Sequence, residues 1–285
     1  MITASPPNIS IGRRNLGRFN VLAAALLLIA GGLVTSTSSG MAVPDWPLSY
    51  GRWLPAMTGG VFYEHGHRMI AAVVGFSILI MAFWTQFSES RPGVRRLAWW
   101  TLALVCLQGF LGAITVFYNL PFQVSAAHAT LGQTVFCLLV VMAECLRSDD
   151  LCSTACVTRD LRWLGGFCVF ALLCQLIVGA VMRHGGSGLW PHLLGAAIAA
   201  PAVGFFAASV LLLGDLKLQR PAVGVLVVLA VQLALGLATA DFRTVPNPRT
   251  DWGMIVVATT HLAFGALLLG SSVLLTFRLF QMRTS

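Results

Sequence analysis

Eight long apolar runs dominate this chain of 285 residues. Each run has the roughly 20 residues that a helix needs to cross the hydrocarbon core of a bilayer. Because 57% of the residues are hydrophobic and only 10% are charged, one soluble core could not bury so much apolar surface. The sequence therefore predicts an all-α polytopic membrane protein. Its expected spans are 19–39, 68–87, 97–117, 124–146, 161–182, 190–214, 221–241 and 253–277.

The net charge of +8 comes from basic residues scattered between the apolar runs. Scattered cations favour a topology signal over a nucleic-acid-binding patch, so we expect no nucleic-acid partner. Thirteen of the 18 Lys and Arg residues fall in one set of connecting segments and five in the other. The positive-inside rule then predicts a multi-pass protein of the plasma membrane with both termini in the cytoplasm. The first run is interpreted as a retained helix, because no small-residue cleavage site precedes a soluble domain.

The seven cysteines all lie outside the predicted outer loops. A structural disulfide is therefore not expected. Cys152 and Cys156 have the spacing of a metal-binding pair, but no further ligands lie near them in the sequence. Reduced thiols are the favoured interpretation.

The odd-numbered spans repeat a pattern near their outer ends, in which a glycine follows a glutamine by four residues. A spacing of four places both residues on one helix face. Ordinary packing of small residues is the alternative, but four occurrences at equivalent depths favour a shared function. In the first span a leucine replaces the glutamine. The pairs are Leu28–Gly32, Gln108–Gly112, Gln175–Gly179 and Gln232–Gly236.

The even-numbered spans each carry one histidine in their outer part, followed four residues later by glycine or alanine. The small residue lies beside the histidine on the same face, which predicts room for a flat ring. A single such histidine would more often hydrogen-bond across helices, but four in register favour metal ligation. The histidines are His67, His128, His192 and His261, and the small residues are Ala71, Gly132, Ala196 and Gly265.

This repetition predicts two pseudo-symmetric four-helix bundles, residues 1–150 and 151–285, each with two opposed histidines in its core. Imidazole suits zinc, copper and iron alike. A zinc site usually adds cysteine or carboxylate ligands, and only Glu64 is near. Two histidines facing each other across glycine-lined space fit heme iron better.

The stretch before the second span contains Pro44-Asp45-Trp46 and Glu64-His65-Gly66-His67-Arg68. If the helix already runs there, Glu64 and His67 share a face and His65 points away, so His67 is the expected ligand and His65 a peripheral residue. Glu64 either complements the helix dipole or takes part in the chemistry, and the second role is favoured. Arg68 either pairs with a heme propionate or anchors the helix at the interface.

The loop from Gly40 to Pro47, the Glu64–Arg68 run and the histidine in each even span resemble the heme A synthases. These are bacterial cytochrome oxidase assembly proteins with mitochondrial relatives. The resemblance implies oxidation of the C8 methyl of heme O to the formyl of heme A, with water as the oxygen source. It implies heme O as the substrate at His67 and His128, with Glu64 as the acidic residue of the reacting site. It further implies heme b at His192 and His261.

Heme O synthase, the cytochrome oxidase assembly machinery and membrane lipid are the partners that the resemblance implies. In one respect the chain departs from part of that family, because some members carry cysteine pairs in outer loops that here contain none. A thiol-dependent step is therefore in doubt.

Two other functions are compatible with the four histidines. A non-catalytic diheme b-type cytochrome would use them to carry electrons, but it needs neither Glu64 nor the Pro44–Pro47 loop. A heme-export protein would concentrate tryptophans in one outer segment. Here Trp46, Trp53, Trp190 and Trp252 are dispersed, as interfacial residues usually are.

Overall fold

The computed structural model describes residues 10–147, 157–242 and 251–282. Within these ranges the chain forms eight helices, all long and apolar enough to cross a membrane. The predicted class of polytopic helical membrane protein is therefore confirmed. The helices are α1 (Ile11–Ser36), α2 (Gly60–Ser88), α3 (Pro92–Phe117), α4 (Phe122–Cys145), α5 (Arg159–Gly185), α6 (Leu189–Leu211), α7 (Leu216–Phe242) and α8 (Trp252–Gln281).

Local signals explain where several helices begin and end. The side chains of Ser10, Thr158 and Asp251 cap α1, α5 and α8 by accepting main-chain N–H groups of the first turn, the usual role of these residue types. Pro92 occupies the first turn of α3, where its missing N–H has no intrahelical partner to lose. Gly186 ends α5 with φ of 74°, a left-handed conformation that glycine adopts without strain.

The helices pack as two closed rings. In the first, α1 contacts α2, α2 contacts α3, α3 contacts α4, and α4 returns to α1; the second repeats this order with α5 to α8. Contacts of α4 with α5 and α8, and of α1 with α8, join the rings. At this seam Phe136 lies against Gly270, where an added Cβ would be 2.8 Å from the phenyl ring.

We call the end near residues 88–92, 145–147, 157–159 and 211–216 the inner end, and the opposite end the outer end. Buried ion pairs tie helices together at the inner end. Arg278 donates to both oxygens of Glu144 at 2.8 and 3.0 Å and thereby links α8 to α4. Glu89 accepts from Arg13 at 3.4 Å and from Arg91 at 2.8 Å. The arginines that the sequence analysis interprets only as topology signals therefore also form ion pairs that connect helices.

The described cysteines are free thiols, and they include the buried Cys137 and Cys168. Cys152 and Cys156 lie outside the described residues.

Candidate functional site

The four histidines lie in the outer parts of α2, α4, α6 and α8, so that each ring contains two of them. The imidazoles of His192 and His261 face each other with centroids 6.4 Å apart and planes at 79°. Two metal–imidazole bonds of about 2 Å each, together with the radii of the two rings, span about 6 Å between centroids. One metal ion therefore fits between His192 and His261. In the first ring His67 and His128 occupy the corresponding helices and each lies against a glycine of the preceding helix.

Each imidazole packs against a glycine of the preceding helix. A Cβ added at Gly112, Gly179 or Gly236 would lie 3.0–3.3 Å from the Cε1 atom of the histidine in the next helix. These are the glycines of the predicted repeat. Since such contacts are tighter than ordinary packing, any larger residue would push the ring away. The repeat thus sets the position of the imidazoles.

In α1 the predicted register is wrong by one residue. Gly31, and not Gly32, lies on the imidazole of His67, at 3.1 Å from Cε1 to an added Cβ. Gly32 instead faces Thr259 and Leu262 of α8. The error arose because α1 has two adjacent glycines and no glutamine to fix the register.

The repeated glutamines also touch the histidines. Gln108 and Gln175 donate through Nε2 to the main-chain carbonyls of His128 and His192, at 2.9 and 2.8 Å. The Nε2 atom of Gln232 lies 3.5 Å from Nε2 of His261. The Oε1 atoms of all three glutamines are buried and have no hydrogen-bond partner among the described residues.

The small residues after the histidines lie next to these glutamines. Gly132 and Gly265 do so, and in α6 Gly195, three positions after His192, contacts Gln175. The predicted room is therefore filled here by glutamine side chains, which a bound ring would displace. Opposed imidazoles, glycines against them and unpartnered polar atoms beside them fit a heme. No cluster of three or more metal ligands occurs in the described ranges, so these sites offer iron only paired imidazoles.

Glu64 lies in the first two turns of α2, because this helix begins at Gly60, eight residues before the predicted span. Its side chain is buried, with 4% of the residue exposed. One carboxylate oxygen accepts from the main-chain N–H of Val43 at 2.8 Å, and the other accepts from Arg68 at 2.6 Å. The carboxylate is thus fixed between α2 and the outer loop 37–59.

Arg68 holds this loop from the other side. It donates to the carbonyl oxygens of Asp45 and Leu48 at 2.7 and 2.9 Å. In the loop itself, the main-chain N–H groups of Gly51 and Tyr50 bond the Asp45 carboxylate and hold the pKa of this group below its ordinary value. Both roles expected for Arg68 stay predictions, and its contacts show in addition that it holds the loop against α2.

His65 is buried rather than peripheral, with 6% of the residue exposed. Its Nδ1 atom lies 2.8 Å from the hydroxyl oxygen of Ser49. It does point away from His67, as the helix spacing predicts, but the side to which it points is covered by the loop.

Gly179 provides a test of the histidine–glycine contacts. Replacement by valine is expected to displace His192 and cost about 1–3 kcal/mol through overpacking, which would remove most of the heme bound at His192 and His261. Gly166 of the same helix is the matched control, because nothing lies within 4 Å of its added Cβ. Absorbance of the purified variants measures the heme. Full heme in Gly179→Val would contradict the assignment of this contact to the site.

Eight membrane-spanning helices and two histidine pairs near one end define a helical-bundle membrane protein with sites suited to heme. A family model described as cytochrome oxidase assembly protein, COX15-CtaA, matches residues 57–192. Glu64, His67 and His128 lie inside this range, His192 is its last residue, and His261 lies beyond it. Residues 57–192, just under half of the chain, are therefore similar to this family of cytochrome oxidase assembly proteins.

Individual relatives are similar at moderate identity. The heme A synthase of Symbiobacterium thermophilum is 31% identical over 187 residues, which cover 60% of each chain. That of Bacillus licheniformis is 30% identical over 183 residues, 62% of this chain and 60% of the relative. For Exiguobacterium sp. strain AT1b the identity is 29% over 173 residues, 59% and 57% of the two chains. This chain thus spans less than two thirds of the length of the relatives it matches.

Proposed function

We propose that this protein is a heme A synthase, an oxidoreductase that converts the C8 methyl of heme O to the formyl of heme A for cytochrome oxidase. The observation that carries the proposal is that His67 and His128, each against a glycine of the preceding helix, lie in the ring whose outer end is covered by the Glu64–Arg68 loop contacts. A site for iron and a fixed buried carboxylate on the same helix are what a reaction on the edge of a heme requires.

In this proposal the two rings bind different hemes. Residues 1–150 would bind heme O through His67 and His128, and residues 151–285 would hold heme b through His192 and His261. Oxidation of the methyl to a formyl with oxygen from water releases four protons and four electrons, and heme b, when bound, would carry these electrons one at a time to an external one-electron acceptor. The boundary between these halves falls among residues 148–156, outside the described ranges.

Glu64 would act on the substrate heme as a fixed anion. A carboxylate held by Arg68 and the N–H of Val43 cannot reorient freely, so it stabilises positive charge that develops on the methyl carbon during oxidation. It can alternatively accept a proton from the water that supplies the formyl oxygen. Arg68 and the loop would keep Glu64 in place and limit the access of bulk water.

The setting of this activity is the plasma membrane, with both termini in the cytoplasm and the histidines toward the outer side. Thirteen of 18 cations in the inner set of segments support this orientation. Heme O synthase and the cytochrome oxidase assembly machinery are the proposed partners, since one supplies the substrate and the other uses the product.

Complementation tests the function in cells. In a strain that lacks its own heme A synthase but makes heme O, expression of this chain is expected to restore heme A in the membranes. Chromatography of extracted hemes is the readout, and cells without heme O synthase are the control. Membranes that contain the protein with bound heme b but retain only heme O would contradict the proposal and favour the diheme electron carrier.

A further inference from the structure

Arg183 stands out in the repeat of the odd-numbered helices. On α5 it follows Gln175 and Gly179 at successive spacings of four, so the three residues share one face. Gly179 touches His192, and Arg183 lies one turn nearer the outer end. The residues at this position in the other odd-numbered helices are uncharged: Thr35, Val116 and Ala240. A cation therefore occurs in one of four equivalent places.

The contacts of Arg183 are all with neutral groups. Nη2 donates to the carbonyl of Gly32 at 3.1 Å and to the hydroxyl of Ser36 at 2.7 Å. Nε is buried and has no hydrogen-bond partner among the described residues. The Ser36 hydroxyl lies 2.9 Å from that of Thr259, two residues before His261. Arg183 thus lies in the seam between α1, α5 and α8, beside the helix that carries His261.

No carboxylate of the described ranges forms an ion pair with Arg183, whereas five other arginines pair with a glutamate. Arg183 is partly buried, and a cation partly withdrawn from water inside a membrane bundle is unfavourable unless a counter-charge or strong acceptors compensate it. The helix C-terminus and two neutral acceptors compensate only part of this charge. The missing counter-charge is the feature that points to an anionic ligand.

We propose that Arg183 binds a propionate of the heme held by His192 and His261. The inference rests on the proposed heme b site of the second ring. The planar guanidinium can donate two parallel hydrogen bonds to a carboxylate. Its Nε, which has no partner among the described residues, can be one of the two donors. The outer end is also where charged propionates come nearest to water. Arg183 is thus a binding residue for the cofactor, one turn outward from the glycine that touches its axial ligand.

The midpoint potential of heme b tests this role in the purified holoprotein. A cation beside the propionate favours the ferrous over the ferric heme, since reduction removes one positive charge from the iron. Arg183→Gln is expected to change the ferrous-to-ferric ratio at a fixed potential about tenfold toward ferric, a fall of about 59 mV for one electron. Arg183→Lys keeps the charge and should lie closer to the parent.

Two controls separate this role from a structural one. Ser36→Ala removes an acceptor of Arg183 but leaves its charge, and Arg52→Gln removes an exposed cation of the outer loop; both should keep the parent potential. Loss of heme from Arg183→Gln alone would also support propionate binding. An unchanged potential in Arg183→Gln, or an equal shift in Ser36→Ala, would overturn the proposal. A parent protein without heme b would instead refute the proposed function.

Discussion

Glu64→Gln is expected to lower heme A formation by about two orders of magnitude or more, the scale known for the loss of one preorganised electrostatic group. Glutamine keeps the size of the side chain and can still accept from Val43 N–H, so the loop contact survives while the charge is lost. Heme b at His192 and His261 should stay near the parent level, because Glu64 belongs to the other ring. The rate is measured by chromatography of extracted hemes after coexpression with heme O synthase.

Arg68→Gln is the control for this result, because Arg68 donates to both Glu64 and the loop carbonyls. If loop anchoring were all that mattered, Arg68→Gln would lower heme A formation as much as Glu64→Gln. We expect a smaller loss, since the carboxylate and its bond from Val43 remain. Heme A formation by Glu64→Gln at the parent rate would show that Glu64 is only a residue of the helix start.

Replacing His67 or His128 with alanine is expected to reduce heme A formation to background. Without one axial imidazole the substrate heme loses both iron ligation and its orientation toward Glu64, and misplacement of a reacting group is costly. His192→Ala and His261→Ala should instead remove most heme b. The measurements are the heme A content of membranes and the low-spin heme spectrum of each purified variant.

His65→Asn is the matched control, because His65 lies two residues from His67 but contacts Ser49. An asparagine retains hydrogen-bonding capacity toward the loop, so substantial heme A formation should remain. The reverse pattern, with heme b lost from His67→Ala and retained in His192→Ala, would contradict the assignment of hemes to the two rings.

The spans and histidines of this protein are readable from sequence because the bilayer restricts the possible structures. A membrane helix must satisfy its own backbone and be long enough to cross, so apolar runs locate all eight helices. The start of α2 at Gly60 was not predicted, because residues 60–67 precede the continuous apolar run of this helix. Helical spacing alone places the glycines that contact His128, His192 and His261 in one repeat, but it misplaces by one residue the glycine that contacts His67.

Contacts between distant parts of the chain were not predictable in the same way. Arg278 and Glu144 are 134 positions apart, and nothing local in the sequence indicates their pairing. The choice between Gly31 and Gly32 depends on the rotation of α1 against α2, which neighbouring helices determine. Likewise, the sequence shows Arg183 only as one of five cations in the outer set of segments. Its neutral hydrogen-bond partners become known only from the structure.

The identity of the hemes bound to the parent protein tests the central proposal most directly. The protein is purified after coexpression with heme O synthase, and the extracted hemes are identified by mass spectrometry. The proposed function predicts that the protein contains heme b together with heme A, and that it contains heme b alone when heme O synthase is not coexpressed. Heme b accompanied by unaltered heme O, with no hydroxylated or formyl product, would contradict it.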